Sequence, residues 1–231
     1  MEFDRYRDRY ADRVNEALSF TGTEQEFYLR AKAERIVELA AEQLPGESEP
    51  AVLDVGCGVG LMASLLEARF PGLVGVDVAR GVLPQARRNA PGARFVGFDG
   101  IRLPFRDGCF DLVFAVCVVH HVGVDGWPGF AAELARVTRP GGVVVIFEHN
   151  PLNPLTRAVV SRCEFDRDAV LLGRRQVRRL LDGAGLEACA ARYILFFPWA
   201  GRLWSGLEAV LHWLPLGAQH YVAARKVERR A

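Results

Sequence analysis

From Ala51 onward the sequence alternates short apolar runs with stretches of helical periodicity, and that alternation leaves few folds open. Residues 51–55, 73–76, 94–98, 112–116 and 143–147 are too short for helices and almost wholly apolar, as strands buried on both faces are. Residues 61–69, 82–89 and 131–137 between them carry the helical spacing, and Pro140-Gly141-Gly142 punctuates the step into the last of those strands. Strands separated by helices pair in parallel through right-handed crossovers. The expected architecture is therefore α/β, a doubly wound, mostly parallel sheet with helices on both faces.

The flanks are less regular. Phe27, Leu29, Ala31, Ile36, Val37, Leu39 and Ala40 recur at helical spacing, and Pro45-Gly46 ends that helix before a loop over 47–50. Later, residues 176–182 read as a helix, and 193–197 and 220–224 as strands. Leu203, Leu207, Val210, Leu211 and Leu214 share one face of a further helix within 199–217. The 231 residues fit one domain: an N-terminal helical lid over 1–46, a core over 51–150, and a C-terminal part, 151–231, carrying the insertion 199–217.

A net charge of +1 gives no general electrostatic reason to bind nucleic acid or an acidic membrane. The five cysteines (57, 109, 117, 163 and 189) are odd in number and lack C-x-x-C spacing, so they suggest free thiols rather than a disulfide scaffold or a metal centre. The N-terminal residues alternate charge with aromatics and lack the apolar core of a signal peptide, and no run is long enough to span a bilayer. A cytoplasmic location is expected.

The segment V-L-D-V-G-C-G-V-G, Val52 to Gly60, carries the chemistry. A strand runs into glycines and then a helix, which presents backbone N–H groups and a positive helix end to a ligand. A dinucleotide fingerprint requires G-x-G-x-x-G. Here Gly56, Gly58 and Gly60 form G-x-G-x-G, Leu61 follows, and Asp54 precedes. A carboxylate so close repels a pyrophosphate but attracts the ammonium of an amino-acid moiety.

These landmarks, in this order, resemble the class I S-adenosylmethionine (SAM)-dependent methyltransferases over about residues 52–147. Asp77, at the end of the second strand, resembles the family's acidic residue that holds both ribose hydroxyls. Asp99 and Gly100 match its contact to the adenine amino group. L-P-F-R-D-G-C-F-D-L-V-F-A-V-C-V-V-H-H-V and R-V-T-R-P-G-G-V-V-V-I resemble the family's runs through its fourth and fifth strands. The resemblance implies a Rossmann-like sheet of seven strands, the last antiparallel, with SAM as cofactor. It assigns Asp54, Gly56, Cys57, Gly58, Gly60, Asp77, Val78, Asp99, Gly100, Cys117 and Tyr28 to the cofactor, with Cys117 packing against it rather than acting as a nucleophile.

Ligands of open α/β sheets bind beyond the carboxyl ends of the strands. His120 and His121 follow the fourth strand, and Glu148, His149 and Asn150 the fifth, so both groups should face the donor. His120 or His149 is the expected base, with Glu148 as orienter or alternative base. No metal is expected. Tyr10, Phe20 and Tyr28 could close over the donor, and Lys32 or Arg30 could meet its carboxylate. E-H-N-P-L-N-P, 148–154, lacks the aromatic of nucleic-acid amino-methyltransferases and follows the wrong strand, which leaves a small-molecule acceptor. Residues 199–217 could wall an apolar acceptor or touch a membrane or a second copy. Two rivals stay open: a nicotinamide oxidoreductase, disfavoured by Leu61, and a SAM-binding protein that transfers no methyl group.

Overall fold

The computed structural model describes residues 25–163, 166, 168–197 and 202–227. After helix α1 (Gln25–Gln43) come β1 (Val52–Val55), α2 (Leu61–Leu66), β2 (Val74–Asp77), α3 (Leu83–Asn89), β3 (Arg94–Gly97) and β4 (Phe110–Val116). Then follow α4 (Trp127–Val137), β5 (Thr138–His149), α5 (Pro154–Arg162), α6 (Arg174–Gly183), β6 (Leu186–Ile194), α7 (Arg202–Leu211) and β7 (Gln219–Lys226). The strands form one seven-stranded sheet in the order β3-β2-β1-β4-β5-β7-β6. β1 to β5 pair in parallel, whereas β7 runs antiparallel to both β5 and β6.

The period of two along each strand divides the core. Leu112 and Phe114 on β4 join Val143, Val145 and Phe147 on β5 in a cluster with Ile36 and Leu39 of α1 and Leu66 of α2. The alternate residues, Val113, Ala115, Val144 and Ile146, face Leu134 of α4 and Val177 and Leu181 of α6. Central strands buried on both faces explain why their sequences are apolar without alternation. The order reverses between β1 and β4, so the crevice for ligands opens beside the bend after β1.

Three elements differ from the sequence reading. β5 begins at Thr138, so Pro140-Gly141-Gly142 lies inside the strand rather than before it. A shift in register between Phe110 and Leu112 marks an irregularity there, and Gly141 takes a φ of 78°. β6 starts seven residues earlier than expected, at Leu186, and stops at Ile194, where Leu195 turns the chain with a φ of 62°. It is an edge strand rich in alanine and partly exposed, so it shows little hydrophobic alternation. Helix α5 was not anticipated at all. Its start is encoded by Asn153, whose Oδ1 accepts the N–H groups of Leu155 and Thr156, and by Pro154 at the first turn.

Candidate active site

The donor end of the site grows out of the bend after β1. Gly56 and Cys57 donate their N–H groups to Val76 O, at 2.8 and 3.0 Å, which ties the bend to β2. Gly60 has a φ of 77°, and a Cβ there would lie 3.0 Å from Ala86 Cα on α3, so glycine lets two backbones approach. Gly58, with a φ of 52°, would point a Cβ into open space. Its N–H donates instead to Asp77 Oδ2 at 2.8 Å, while Ala79 N–H donates to Asp77 Oδ1 at the same distance. Each oxygen of a carboxylate has two acceptor positions, so Asp77 is oriented by the backbone and keeps capacity for a diol.

Asp54 is only 2 % exposed, and its Oδ2 has no hydrogen-bond partner. Burial, together with the charge of Asp77, pushes its pKa up to about 8. A buried, unsatisfied carboxylate oxygen beside a cavity is strained unless a cation or a donor comes to it. The ammonium of SAM answers that need, and the paired oxygens of Asp77 suit its ribose, so these residues fit the cofactor.

A cavity of about 750 Å³ joins this end to a second cluster of polar groups. Tyr28, Lys32, Asp54, Gly56, Cys57, Gly58, Asp77, Val78, Gly100 and Cys117 all border it, as do His120, His121 and His149. Gly60 stands behind the bend against α3 rather than on the cavity wall. Asp99, expected at the adenine amino group, is not on the cavity wall, although its neighbours Phe98 and Gly100 are. Its Oδ1 accepts the N–H groups of Ile101 and Arg102, each at 2.8 Å, and so caps a turn. Burial, with the carboxylates nearby, raises the Cys57 thiol's pKa, and burial also raises that of Cys117. Both thiols are held in the unreactive form. Tyr10, Phe20, Trp199 and the side chain of Leu203 lie outside the described residues. Arg30 pairs with Glu26 on the exposed side of α1, whereas Lys32 is 5 % exposed and borders the cavity.

The second cluster sits at the ends of β4 and β5. Glu148 is fully buried, and its Oε1 accepts Val119 N–H at 2.8 Å. Its Oε2 accepts His120 Nδ1–H at 2.5 Å, so Glu148 stands behind the histidine rather than in the cavity. His120 Nε2 lies 3.3 Å from Asp166 Oδ1, and His121 Nε2 lies 3.4 Å from the same oxygen. The His149 ring is 5.2 Å from that of His120, with Gln219 bridging His149 to Cys117. Burial alone would lower the pKa of His120, but the charge of Glu148 and contact with Asp166 outweigh it and hold it well above 6.5. Burial, then the charge of His120, pushes both His121 and His149 down to about 4. Burial would raise Asp166, yet contact with His120 and the surrounding histidines bring it to about 2.

Asp166 is the residue that sequence reading missed. It follows α5 in a sequence without periodicity, and only its approach to His120 and His121 reveals it. Val170 N–H donates to His120 O at 3.1 Å and helps fix the approach. His121, expected to face the cleft, borders the cavity.

Fold and site together define a SAM-dependent methyltransferase. Residues 53–146 match the family model described as a methyltransferase domain. The chain is 36% identical over 183 residues to a demethylmenaquinone methyltransferase of Thermus thermophilus, a match covering 74% of each chain. It belongs to this methyltransferase family. A trans-aconitate 2-methyltransferase of Acidovorax ebreus is 31% identical over 207 residues, 81% of this chain and 76% of that one. A 2-methyl-6-phytyl-1,4-hydroquinone methyltransferase of Synechocystis is 27% identical, the match covering 74% of this chain but 58% of the relative. Among solved structures, a SAM-dependent methyltransferase of Thermotoga maritima superposes with a TM-score of 0.67 at 19% identity, over 97% of both chains. A [4+2]-cyclase superposes at 0.58 and 19% identity, over 84% of this chain and 81% of that one. The shared fold therefore does not by itself fix the reaction.

Proposed function

We propose that this chain methylates an oxygen atom of a small, largely apolar metabolite in a biosynthetic pathway. The observation that carries the reading is the continuity of the cavity: one space runs from Asp54 and Asp77 to the histidine cluster. Its remaining wall is mostly apolar, with Val122, Phe130, Leu155, Val159, Leu195 and Phe197. Relatives named for demethylmenaquinone, a phytylated hydroquinone and trans-aconitate support a small acceptor. The net charge of +1 supports no nucleic acid.

Bound SAM supplies an electrophilic methyl group on a sulfonium. The residues of the chain supply position and proton management. Asp54 holds the donor's ammonium and Asp77 its ribose diol, which fixes the methyl group toward the second cluster. His149, which burial and the charge of His120 hold at about 4, is neutral at pH 7 and is the base that takes the acceptor's proton. His120 serves less well as that base, because Glu148 and Asp166 keep it protonated. Glu148 is the orienter behind it. Carbon and nitrogen acceptors stand behind oxygen.

Helix α1, with Tyr28 and Lys32 on the cavity, belongs to the proposed lid over 1–46, whose first 24 residues lie outside the described part. Leu207, Val210, Trp213 and Leu216 are exposed, and Leu216 O accepts from Asn153 Nδ2, beside the exposed Leu152 and the cavity-lining Leu155, which suits an apolar collar. That collar is also the surface for the expected membrane or subunit contact. Among the described residues no helix is long and apolar enough to cross a membrane. The five free cysteines agree with the proposed cytoplasmic setting.

The test is release of S-adenosylhomocysteine from labelled donor across a panel of apolar phenols, hydroquinones and carboxylic acids. His149→Gln should lower kcat by about 10²–10⁴-fold and leave donor affinity unchanged. Donor binding without turnover on any acceptor class, or a fully active His149→Gln variant, overturns the reading.

A further inference from the structure

We infer that His120, His121 and Asp166 bind one divalent first-row transition-metal ion whose open positions face the methyl-donor cavity and accept an oxygen ligand. The second half of this inference rests on the oxygen-acceptor reading above; the first half does not.

Among the described residues, these three side chains each offer a ligand atom, and all three atoms lie within 4.8 Å of one another. Two ligands held about 2.1 Å from a shared ion at a tetrahedral angle stand about 3.4 Å apart. The two separations from Asp166 Oδ1, 3.3 Å to His120 and 3.4 Å to His121, match that edge. Two imidazoles and one carboxylate favour zinc, iron, cobalt or nickel over magnesium or calcium, which prefer an all-oxygen set.

Independent support comes from behind the ligands. Glu148 is fully buried and takes the Nδ1–H of His120, which aims Nε2 at Asp166. That Nε2 is buried and faces Asp166 Oδ1 at 3.3 Å. A carboxylate that fixes the tautomer of a histidine, whose other nitrogen then faces outward, is the usual support of a metal-bound imidazole. Without an ion, a proton on Nε2 fills the gap between the ring and Asp166, and the ion displaces it. With two carboxylates in the group, a divalent ion brings the local charge to zero.

The three ligands come from two separate segments, the turn after β4 and the stretch after α5, and all border the cavity. The ion is therefore accessible to the acceptor, and His149 stands beside it as the proton acceptor rather than as a fourth ligand. The class of ligand implied is an oxygen chelator, such as adjacent hydroxyls or a hydroxyl beside a carbonyl.

The experiment uses the full chain without a histidine tag, stripped with a chelator and titrated with Co²⁺. A visible d–d absorption saturating at one equivalent is expected, with Zn²⁺ competing. Asp166→Asn and His121→Asn should each weaken binding at least tenfold. Glu148→Gln, a positioning variant, should weaken it by about 10–100-fold with stoichiometry kept at one. Calorimetry with S-adenosylhomocysteine reads the fold and donor site of every variant separately. A wild-type chain that binds S-adenosylhomocysteine but takes up neither Co²⁺ nor Zn²⁺ overturns the metal site and leaves the methyltransferase intact. Uptake undiminished in both Asp166→Asn and His121→Asn overturns it too. With cobalt bound, 4-nitrocatechol should shift the d–d spectrum; an unchanged spectrum overturns the open oxygen position.

Discussion

Replacing Asp54 by asparagine should make the ligand-free protein's stability less dependent on pH while weakening the donor. Asp54 ionises near 8 in the fold, against an ordinary value of 3.8, because burial and the charge of Asp77 oppose its charge. A carboxyl raised in this way binds more protons folded than unfolded between about pH 4 and pH 8. Stability is therefore lost as pH rises through that window, and the full cost is present above it. The gap from 3.8 to about 8 corresponds to a ceiling of roughly 6 kcal/mol, at 1.36 kcal/mol for each tenfold change. Relaxation and water entry will reduce it, and a buried amide lacking a partner costs about 1–3 kcal/mol in the variant. The quantity to compare is hence the slope. Wild type should lose Tm relative to Asp54→Asn from pH 5 to pH 8, at about 2–4 °C per kcal/mol for a chain of this size. Thermal melts of both proteins at four or five pH values read this directly. Calorimetry should show donor binding weakened about 10–100-fold, as expected for loss of a charge-assisted contact of about 1.5–3 kcal/mol. A difference in Tm that stays flat with pH refutes the argument that Asp54 is a buried, unrelieved charge.

Gly60→Val should destabilise the protein by about 1–3 kcal/mol, because it needs a positive φ and meets the α3 backbone at Ala86; a melt within 1 °C of wild type would contradict this. Asp77→Ala frees the N–H groups of Gly58 and Ala79, so both thermal stability and S-adenosylhomocysteine affinity should fall, the latter at least tenfold by calorimetry. His220, which burial holds at about 4, gives the opposite pH sign to Asp54. Its folded form resists protonation, so stability should fall as pH drops from 6.5 toward 4, and His220→Gln should flatten acid unfolding followed by circular dichroism.

The parallel core was legible because its strands carry their burial in composition. A run such as Val143 to Phe147 is apolar on both faces, and no loop or surface helix mimics it. The bend at Gly56–Gly60 was legible for a different reason, since the glycines are needed by backbone conformation. β6 and α5 were not, because their signals lie in edge exposure and in a single capping asparagine rather than in periodicity. In the site, Asp54 and Asp77 could be placed from their distance to the bend. Asp166 could not, as its meaning depends on a contact with His120 across 46 positions of chain. Asp99 shows what position alone does not reveal: its Oδ1 caps the turn at Ile101 and Arg102, and its side chain is off the cavity wall.

The placement of β7 bears on how the molecule is made. It wedges between β5 and β6, although it is translated after both. Until residues 219–226 leave the ribosome, β5 ends in an open edge and β6 has no neighbour in the sheet. The same strand brings Gln219 against Cys117 and His149, so the wall of the reaction chamber is complete only when β7 has paired. A nascent chain can thus fold its donor half early, yet it gains a complete acceptor half only once residues 219–226 are made.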